Sequence, residues 1–157
     1  MSYLAALRQR HTAEGRVTWI GVRPERLTDL IEVEEAEVTL SGLQGDHARP
    51  GKRALTLIQG EHLPVIASLA RLSDLNPQVL RRNLVIEGIN LMALRHDRLL
   101  LGEAEIRLTQ PCSPCSRMEK ALGEGAYNAM RGHGGWCAEV VRPGRIARGD
   151  RLKPIFD

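Results

Sequence analysis

From residue 17 onward the chain is cut into short, strand-length apolar runs by glycine and proline, and this rhythm constrains the fold more than any other feature. Residues 17–22 (VTWIGV) form a β-rich run closed by Arg23-Pro24. Residues 36–40 alternate towards a turn-forming stretch, residues 41–52 (SGLQGDHARPGK). Residues 53–58 (RALTLI) and 83–89 (NLVIEGI) read as further strands. Residues 97–101 and 104–109 read as a hairpin across Gly102-Glu103. The end of the chain, residues 135–155, alternates strand-like runs with turns at Pro143-Gly144 and Gly149-Asp150.

Helical signals are few. Residues 61–72 (EHLPVIASLARL) carry apolar residues at helical spacing, with Pro64 tolerable in a first turn. Asn76-Pro77 reads as a cap followed by proline at the first helical position, opening a short turn through Leu80. Residues 116–122 and 127–130 are expected to be short helices. Strands therefore dominate and helices are inserted between them, without the regular alternation of a doubly wound sheet. The expected fold is mainly β with inserted helices (α+β), a closed or partly closed mixed barrel. At 157 residues the chain supports one core, so residues 1–157 are read as a single domain.

Composition narrows the function classes. Aromatic residues make up 3% of the chain, which leaves no stock of rings for stacking single-stranded bases. The net charge is +3, and no basic tail is present, so no nucleic-acid partner is expected. Only Lys52, Lys120 and Lys153 are lysines among the 22 basic residues; the arginine forks of the rest suit phosphate and carboxylate. No apolar run is long enough to span a membrane, and the first ten residues lack the core and cleavage site of a secretion signal. The expectation is a cytoplasmic protein with no membrane partner. Three cysteines rule against a purely structural disulfide framework; in a reducing compartment, clustered thiols point to metal or redox chemistry.

Two of those cysteines lie in residues 109–119 (TQPCSPCSRME), where Cys112 and Cys115 form a C-x2-C at the end of an expected strand. The adjoining prolines discourage strand continuation, so both sulfurs are expected on a loop. A thiolate there can ligate a soft metal or attack an electrophile, and nearby Arg117 favours the ionised form. Three readings of these thiols remain open. One is a soft-metal ligand. A second is a zinc module in which Cys112, Cys115, His133 and Cys137 follow C-x2-C and H-x3-C spacing across an intervening stretch. The third is dithiol exchange by Cys112 and Cys115, for which the thioredoxin-like strand and helix arrangement is missing.

The cysteine segment resembles the cysteine loop of MOSC domains, named after the C-terminal part of the molybdenum-cofactor sulfurases. The resemblance continues through residues 21–24 (GVRP), 42–46 (GLQGD), 51–58 (GKRALTLI), 81–89 (RRNLVIEGI), 101–115 (LGEAEIRLTQPCSPC) and 134–150 (GGWCAEVVRPGRIARGD). It covers a core of about residues 18–153 and looks like the stand-alone bacterial type, which implies a mixed MOSC-type β-barrel.

The resemblance implies further expectations. Cys115 would supply sulfur to the metal of a molybdenum cofactor of the molybdopterin type. Lys52, Arg53, Arg81, Arg82, Asn83, Cys112 and Arg117 fall in matching blocks as cofactor-binding candidates, with Arg53, Arg82 and Asn83 favoured because adjacent strand ends line a barrel mouth. Gly42, Gly45 and Asp46 would shape a loop near the cofactor, with Asp46 placed to fix Arg53. His133, ahead of Gly134-Gly135, is a candidate catalytic residue beside Cys115.

Family members either carry sulfur as a persulfide or reduce N-hydroxylated compounds at molybdenum. The pyridoxal-phosphate desulfurase domain of the large sulfurases has no room in this chain, so pyridoxal phosphate is not expected. The favoured expectation is a reductase acting on a small N-hydroxylated substrate. A separate electron-donor protein would serve it, since no dinucleotide fingerprint, ferredoxin cysteine set or haem motif is present. A homo-oligomer could complete an open pocket.

Overall fold

A computed structural model describes residues 1–156. The chain opens with helix α1 (Tyr3–Arg8), then strands β1 (Gly15–Val22), β2 (Ile31–Glu32), β3 (Glu35–Thr39), β4 (Gly42–Leu43) and β5 (Leu55–Gln59). Helix α2 (His62–Ala70), a 3-10 turn (Pro77–Leu80), β6 (Leu84–Glu87), a second 3-10 turn (Leu91–Leu94), β7 (Arg98–Leu101) and β8 (Ala104–Pro111) follow. Helices α3 (Ser116–Leu122) and α4 (Ala126–Met130) precede the closing strands β9 (Trp136–Arg142), β10 (Gly144–Ala147) and β11 (Arg151–Ile155).

The expected strands form where the apolar alternation placed them. The large sheet runs β11-β7-β8-β9-β5-β6-β1, and pairing of β11 with β1 closes it into a mixed seven-strand barrel, with β2 attached to the edge of β1. The closing pair matches Gly15 to Leu152 and Arg16 to Arg151. Among the described residues only β5 and β6 pair in parallel, because α2 and the first 3-10 turn carry the chain back over the barrel wall. Strands β10, β3 and β4 form a separate small sheet.

Two apolar layers result. Leu55, Leu57, Leu84, Ile86, Leu99, Leu101, Ile106, Leu108 and Leu152 point into the lumen and fill it. A smaller outer core, with Trp19, Ile58 and Val85 on the wall and Ile66, Leu80, Met118 and Met130 above it, seats the helices on the outside. A bulge between Val17 and Trp19 puts Val17 and Ile20 inside and Trp19 outside, so β1 serves both cores.

Helix boundaries follow local chemistry. The Asn76 side chain accepts from the Gln78 backbone N–H at 3.0 Å, giving the expected cap of the Pro77–Leu80 turn. That turn ends on Arg81 at φ 61°, a left-handed conformation that costs a non-glycine residue about 1–3 kcal/mol. The Glu119 carboxylate accepts from Gly125 N–H and Tyr127 N–H, at 3.0 and 2.9 Å, and so ties α3 to the start of α4. These hydrogen bonds hold the Glu119 carboxyl below the usual range. Among the described residues no helix is long and apolar enough to cross a membrane.

Candidate functional site

The alternation that sends Leu55 and Leu57 into the lumen turns Thr56 outward, and Asn83, the residue just before β6, lies outward beside it. The Asn83 Oδ1 accepts from both Thr56 N–H and Thr56 Oγ1, each at 3.2 Å, and its Nδ2 donates to the Gly21 carbonyl at 3.1 Å. One buried amide thereby joins β1, β5 and β6. This junction floors a small pocket lined by Arg23, Leu30, Asp46, His47, Ala48, Arg53, Thr56, Arg81 and Asn83. The candidate residues at these strand ends therefore gather on the outer wall of the barrel, where the phase of β5 puts them.

The pocket is electropositive. Burial, and then the like charges of Arg23 and Arg117, lower the Arg81 guanidinium from its ordinary value; Cys115 and Asp29 oppose that shift. Cys115 and Arg117 are thus within electrostatic reach of Arg81. The Asp46 carboxylate accepts from Arg23 N–H at 2.6 Å, and Arg23 Nη2 donates to the His47 carbonyl at 3.4 Å. Asp46 therefore fixes Arg23, not Arg53 as expected. Arg23 Nε is buried with no hydrogen-bond partner, an arrangement that costs about 1–3 kcal/mol unless a ligand supplies an acceptor.

Cys115 lies at the N-cap of α3, exposed, with its sulfur making no capping hydrogen bond. Cys112 and Cys137 are buried. Cys112 first, with Arg53 and Arg82, draws Cys137 below the usual thiol range, while Cys137 and burial push Cys112 up. In turn Cys137 raises Arg53 above its ordinary value. Strand β8 runs two residues further than expected, through Pro111, which pairs with Trp136, and Cys112 N–H donates to the Gly135 carbonyl at 2.8 Å.

Arg82 faces this cysteine loop. Its Nε donates to the Gly134 carbonyl at 2.7 Å, Nη1 to Leu80 at 3.2 Å, and Nη2 to Cys112 and Ser113, both at 3.3 Å. Four backbone carbonyls hold it, so in this structure the guanidinium clasps the loops together. The approach of those loops needs small residues: a Cβ on Gly134 would sit 2.4 Å from the Cys112 carbonyl oxygen, and one on Gly135, at φ 92°, 2.0 Å from that of Leu57.

His133 and Lys52 stand apart from the arginine pocket. His133 opens on a separate cleft of about 470 Å³ lined by Gln59, His62, Cys112, Pro114, Trp136 and neighbours. There its ring meets that of His62 edge-on, with centroids 5.0 Å apart, and its Nδ1 is buried without a partner. Burial, then the His133 charge, lowers His62. Lys52 lines a third groove with Arg95, His96 and Arg107. The tetrahedral zinc arrangement is not assembled. Cys115 faces solvent while Cys112 and Cys137 are buried, and among the described residues no group of three or more His, Cys, Asp or Glu is placed to hold a metal.

The structure therefore brings Arg53, Arg81 and Asn83 into one pocket, with Cys115 and Arg117 within electrostatic reach of Arg81. Reasoning from sequence passed over Arg23, although the GVRP segment that contains it was noted. It also treated Cys137 only as a strand residue or zinc ligand. Position just after β1, whose Gly21 N–H donates to the Asn83 carbonyl, is the signal that marks Arg23.

Comparison with known proteins adds a family and a fold. A family model described as the MOSC domain matches residues 31–153. No curated protein matches the chain. Among solved structures, the YUAD protein from Bacillus subtilis superposes with a TM-score of 0.77 at 16% identity, covering 89% of this chain and 94% of that one. YiiM from Escherichia coli superposes with a TM-score of 0.72 at 25% identity over 90% of this chain and 70% of that one. YiiM from Geobacillus stearothermophilus gives 0.75 at 19% identity, with 90% and 75% covered.

Proposed function

The chain belongs to the MOSC domain family, and from that premise we propose that it binds a molybdenum cofactor through Cys115 and reduces N-hydroxylated compounds with electrons from a separate donor protein. The observation that carries this reading is the exposed Cys115 thiol within electrostatic reach of Arg81, which lines a pocket together with Arg23 and Arg53. The donor set suits the group: thiolate is a soft ligand, guanidinium forks match phosphate oxygens, and the unpartnered Arg23 Nε lacks an acceptor of that kind.

When bound, a molybdenum cofactor supplies a two-electron centre able to take oxygen from an N–OH group. Balanced overall, the N–OH compound gains two electrons and two protons and yields the N–H compound and water. Cys115 offers its sulfur from the start of α3. Arg23, Arg53 and Arg81 would hold the phosphate end. Arg82 keeps the cysteine loop in register through its four carbonyl contacts and is a positioning residue. His133, in the neighbouring cleft, is proposed to carry protons to a substrate entering there.

The accessibility of the Cys115 sulfur also favours a second reading, a persulfide carrier in cofactor metabolism. The two separate in one assay. Protein made in a cofactor-producing host is given a reduced viologen dye and an N-hydroxylated amidine. Turnover that is lost in Cys115→Ser supports the reductase; no turnover, together with cyanide-releasable sulfur on Cys115, replaces it with the carrier.

A further inference from the structure

The cleft beside His133 has a lining that the proposed reduction leaves largely unused. The whole chain holds two Trp, two Tyr and one Phe, and one of each of the first two kinds, Trp136 and Tyr127, lines this cleft. Strand pairing sets Trp136 directly opposite Pro111, so both side chains stand on one side of the sheet, and Pro114 and Met92 extend the apolar surface. The volume, about 470 Å³, suits a small molecule, whose sites run from roughly 300 to 1,000 Å³. Flat walls of this kind favour a planar ring, which keeps a face or an edge against indole and phenol.

The charge of the lining is one-sided. Apart from two histidines, Arg131 is its one ionisable cation and no carboxylate belongs to it among the described residues. Arg131 is exposed, its Nη1 donates to the neutral Asn128 Oδ1 at 3.4 Å, and it makes no ion pair among the described residues. Glu61, next to His62, lines an adjoining trough instead, and its oxygens accept from Gln59 Nε2 at 2.7 Å and Gly88 N–H at 2.9 Å. A guanidinium without a counter-charge beside an apolar cleft attracts a carboxylate, which it can meet through two parallel hydrogen bonds, and repels a cation.

We propose that this cleft binds planar aromatic carboxylates, with Trp136 and Tyr127 taking the ring and Arg131 selecting the charge. The rings of His62 and His133, edge-on with centroids 5.0 Å apart, line the same space and add N–H donors for a polar substituent. The site names a substrate class for the reductase reading and rests on that reading there: N-hydroxylated aromatic acids are taken in preference to cationic compounds. Binding itself needs no molybdenum, so it holds or fails separately from turnover.

The test titrates benzoate, benzamide and benzamidine, which share one ring and are anionic, neutral and cationic at neutral pH, into the isotope-labelled full chain without added cofactor. Two indole N–H signals in the nuclear magnetic resonance spectrum report position: Trp136 in the cleft, and Trp19, 8% exposed in the outer core. Benzoate is expected to move the Trp136 signal to saturation and leave Trp19 still, with an affinity about fivefold above benzamide at low salt and with benzamidine weakest. In Arg131→Gln, a change at an exposed position, benzoate falls to the level of benzamide, whereas Tyr127→Ala weakens all three together. No saturable change at Trp136 with any of the three, or changes confined to Thr56 and Asn83 in the arginine pocket, overturns the site. Equal affinities, benzamidine binding best, or an order that survives Arg131→Gln overturns the selection by charge. Benzoate bound at Trp136 in a protein that reduces no N-hydroxylated compound would leave the site standing and remove the reductase reading alone.

Discussion

On its lumen side β5 presents Leu55 and Leu57, both 0% exposed and surrounded by aliphatic side chains of other barrel strands. On its outer side the same strand presents Thr56, bonded to Asn83 beside a pocket of arginines and thiols. The inner face is held by volume, which many apolar residues satisfy. Directed partners hold the outer one: each carbonyl and amide there has a particular donor or acceptor, and removing one side strands the other. The barrel can thus be read as a scaffold whose interior sets the geometry and whose outer wall carries the chemistry.

The sharpest way to break this contrast is Arg82→Ala. Its loss leaves the carbonyls of Leu80, Cys112, Ser113 and Gly134 without their donor, and a destabilisation of about 3–5 kcal/mol is expected. Urea unfolding followed by circular dichroism measures it; a cost under about 1 kcal/mol would mean that water replaces the clasp. On the inner face, Leu57→Ala opens a cavity and costs about 3 kcal/mol, whereas Leu57→Met costs under about 1.5 kcal/mol. Equal costs for those two substitutions in the same unfolding series would erase the distinction drawn between the faces.

Asn83→Ala is the next step down, at about 2 kcal/mol, because the Gly21 carbonyl and Thr56 N–H lose a partner at the rim, where water can enter. Amide exchange at Thr56, faster in the variant while Leu57 stays protected, locates the effect. The smallest effect concerns pH. The Arg98 guanidinium, hydrogen-bonded to Glu105, holds that carboxyl below the ordinary value of 4.5. A depressed folded-state pKa adds stability that is complete above the unfolded value and is lost as pH falls through the folded one. Melting temperature below about pH 4.5 should therefore fall less steeply in Glu105→Gln than in the parent protein. Parallel acid-side slopes would assign the loss to other carboxylates.

Much of this division was legible beforehand. Alternation and turn residues located the strands that enclose the lumen, the Gly102-Glu103 hairpin and the Asn76 cap, because those features depend on neighbours in the chain. The resemblance in residues 51–58 and 81–89 directed attention to Arg53 and Asn83, which line one pocket. Contacts across the sheet were not legible. Pairing of Gln110 with Cys137 depends on the β8 and β9 register, which shifts between Glu105 and Ile106 and between Leu108 and Gln110 where no local pattern marks it. Arg82 and Arg81 are adjacent arginines with the same propensities. What separates a clasp from a pocket residue is the left-handed turn at Arg81, imposed by the preceding 3-10 turn. Helix α1, with no buried residue, had no apolar periodicity to announce it.

The central claim is that the outer wall holds molybdenum through Cys115. It is tested most directly by elemental analysis of the protein purified, without chelator, from a host that makes molybdenum cofactor, alongside Cys115→Ser verified as folded by circular dichroism. The account predicts near-stoichiometric molybdenum in the parent and none in the variant. Molybdenum retained by Cys115→Ser, or absent from both while the host's own molybdenum enzymes are loaded, would contradict it.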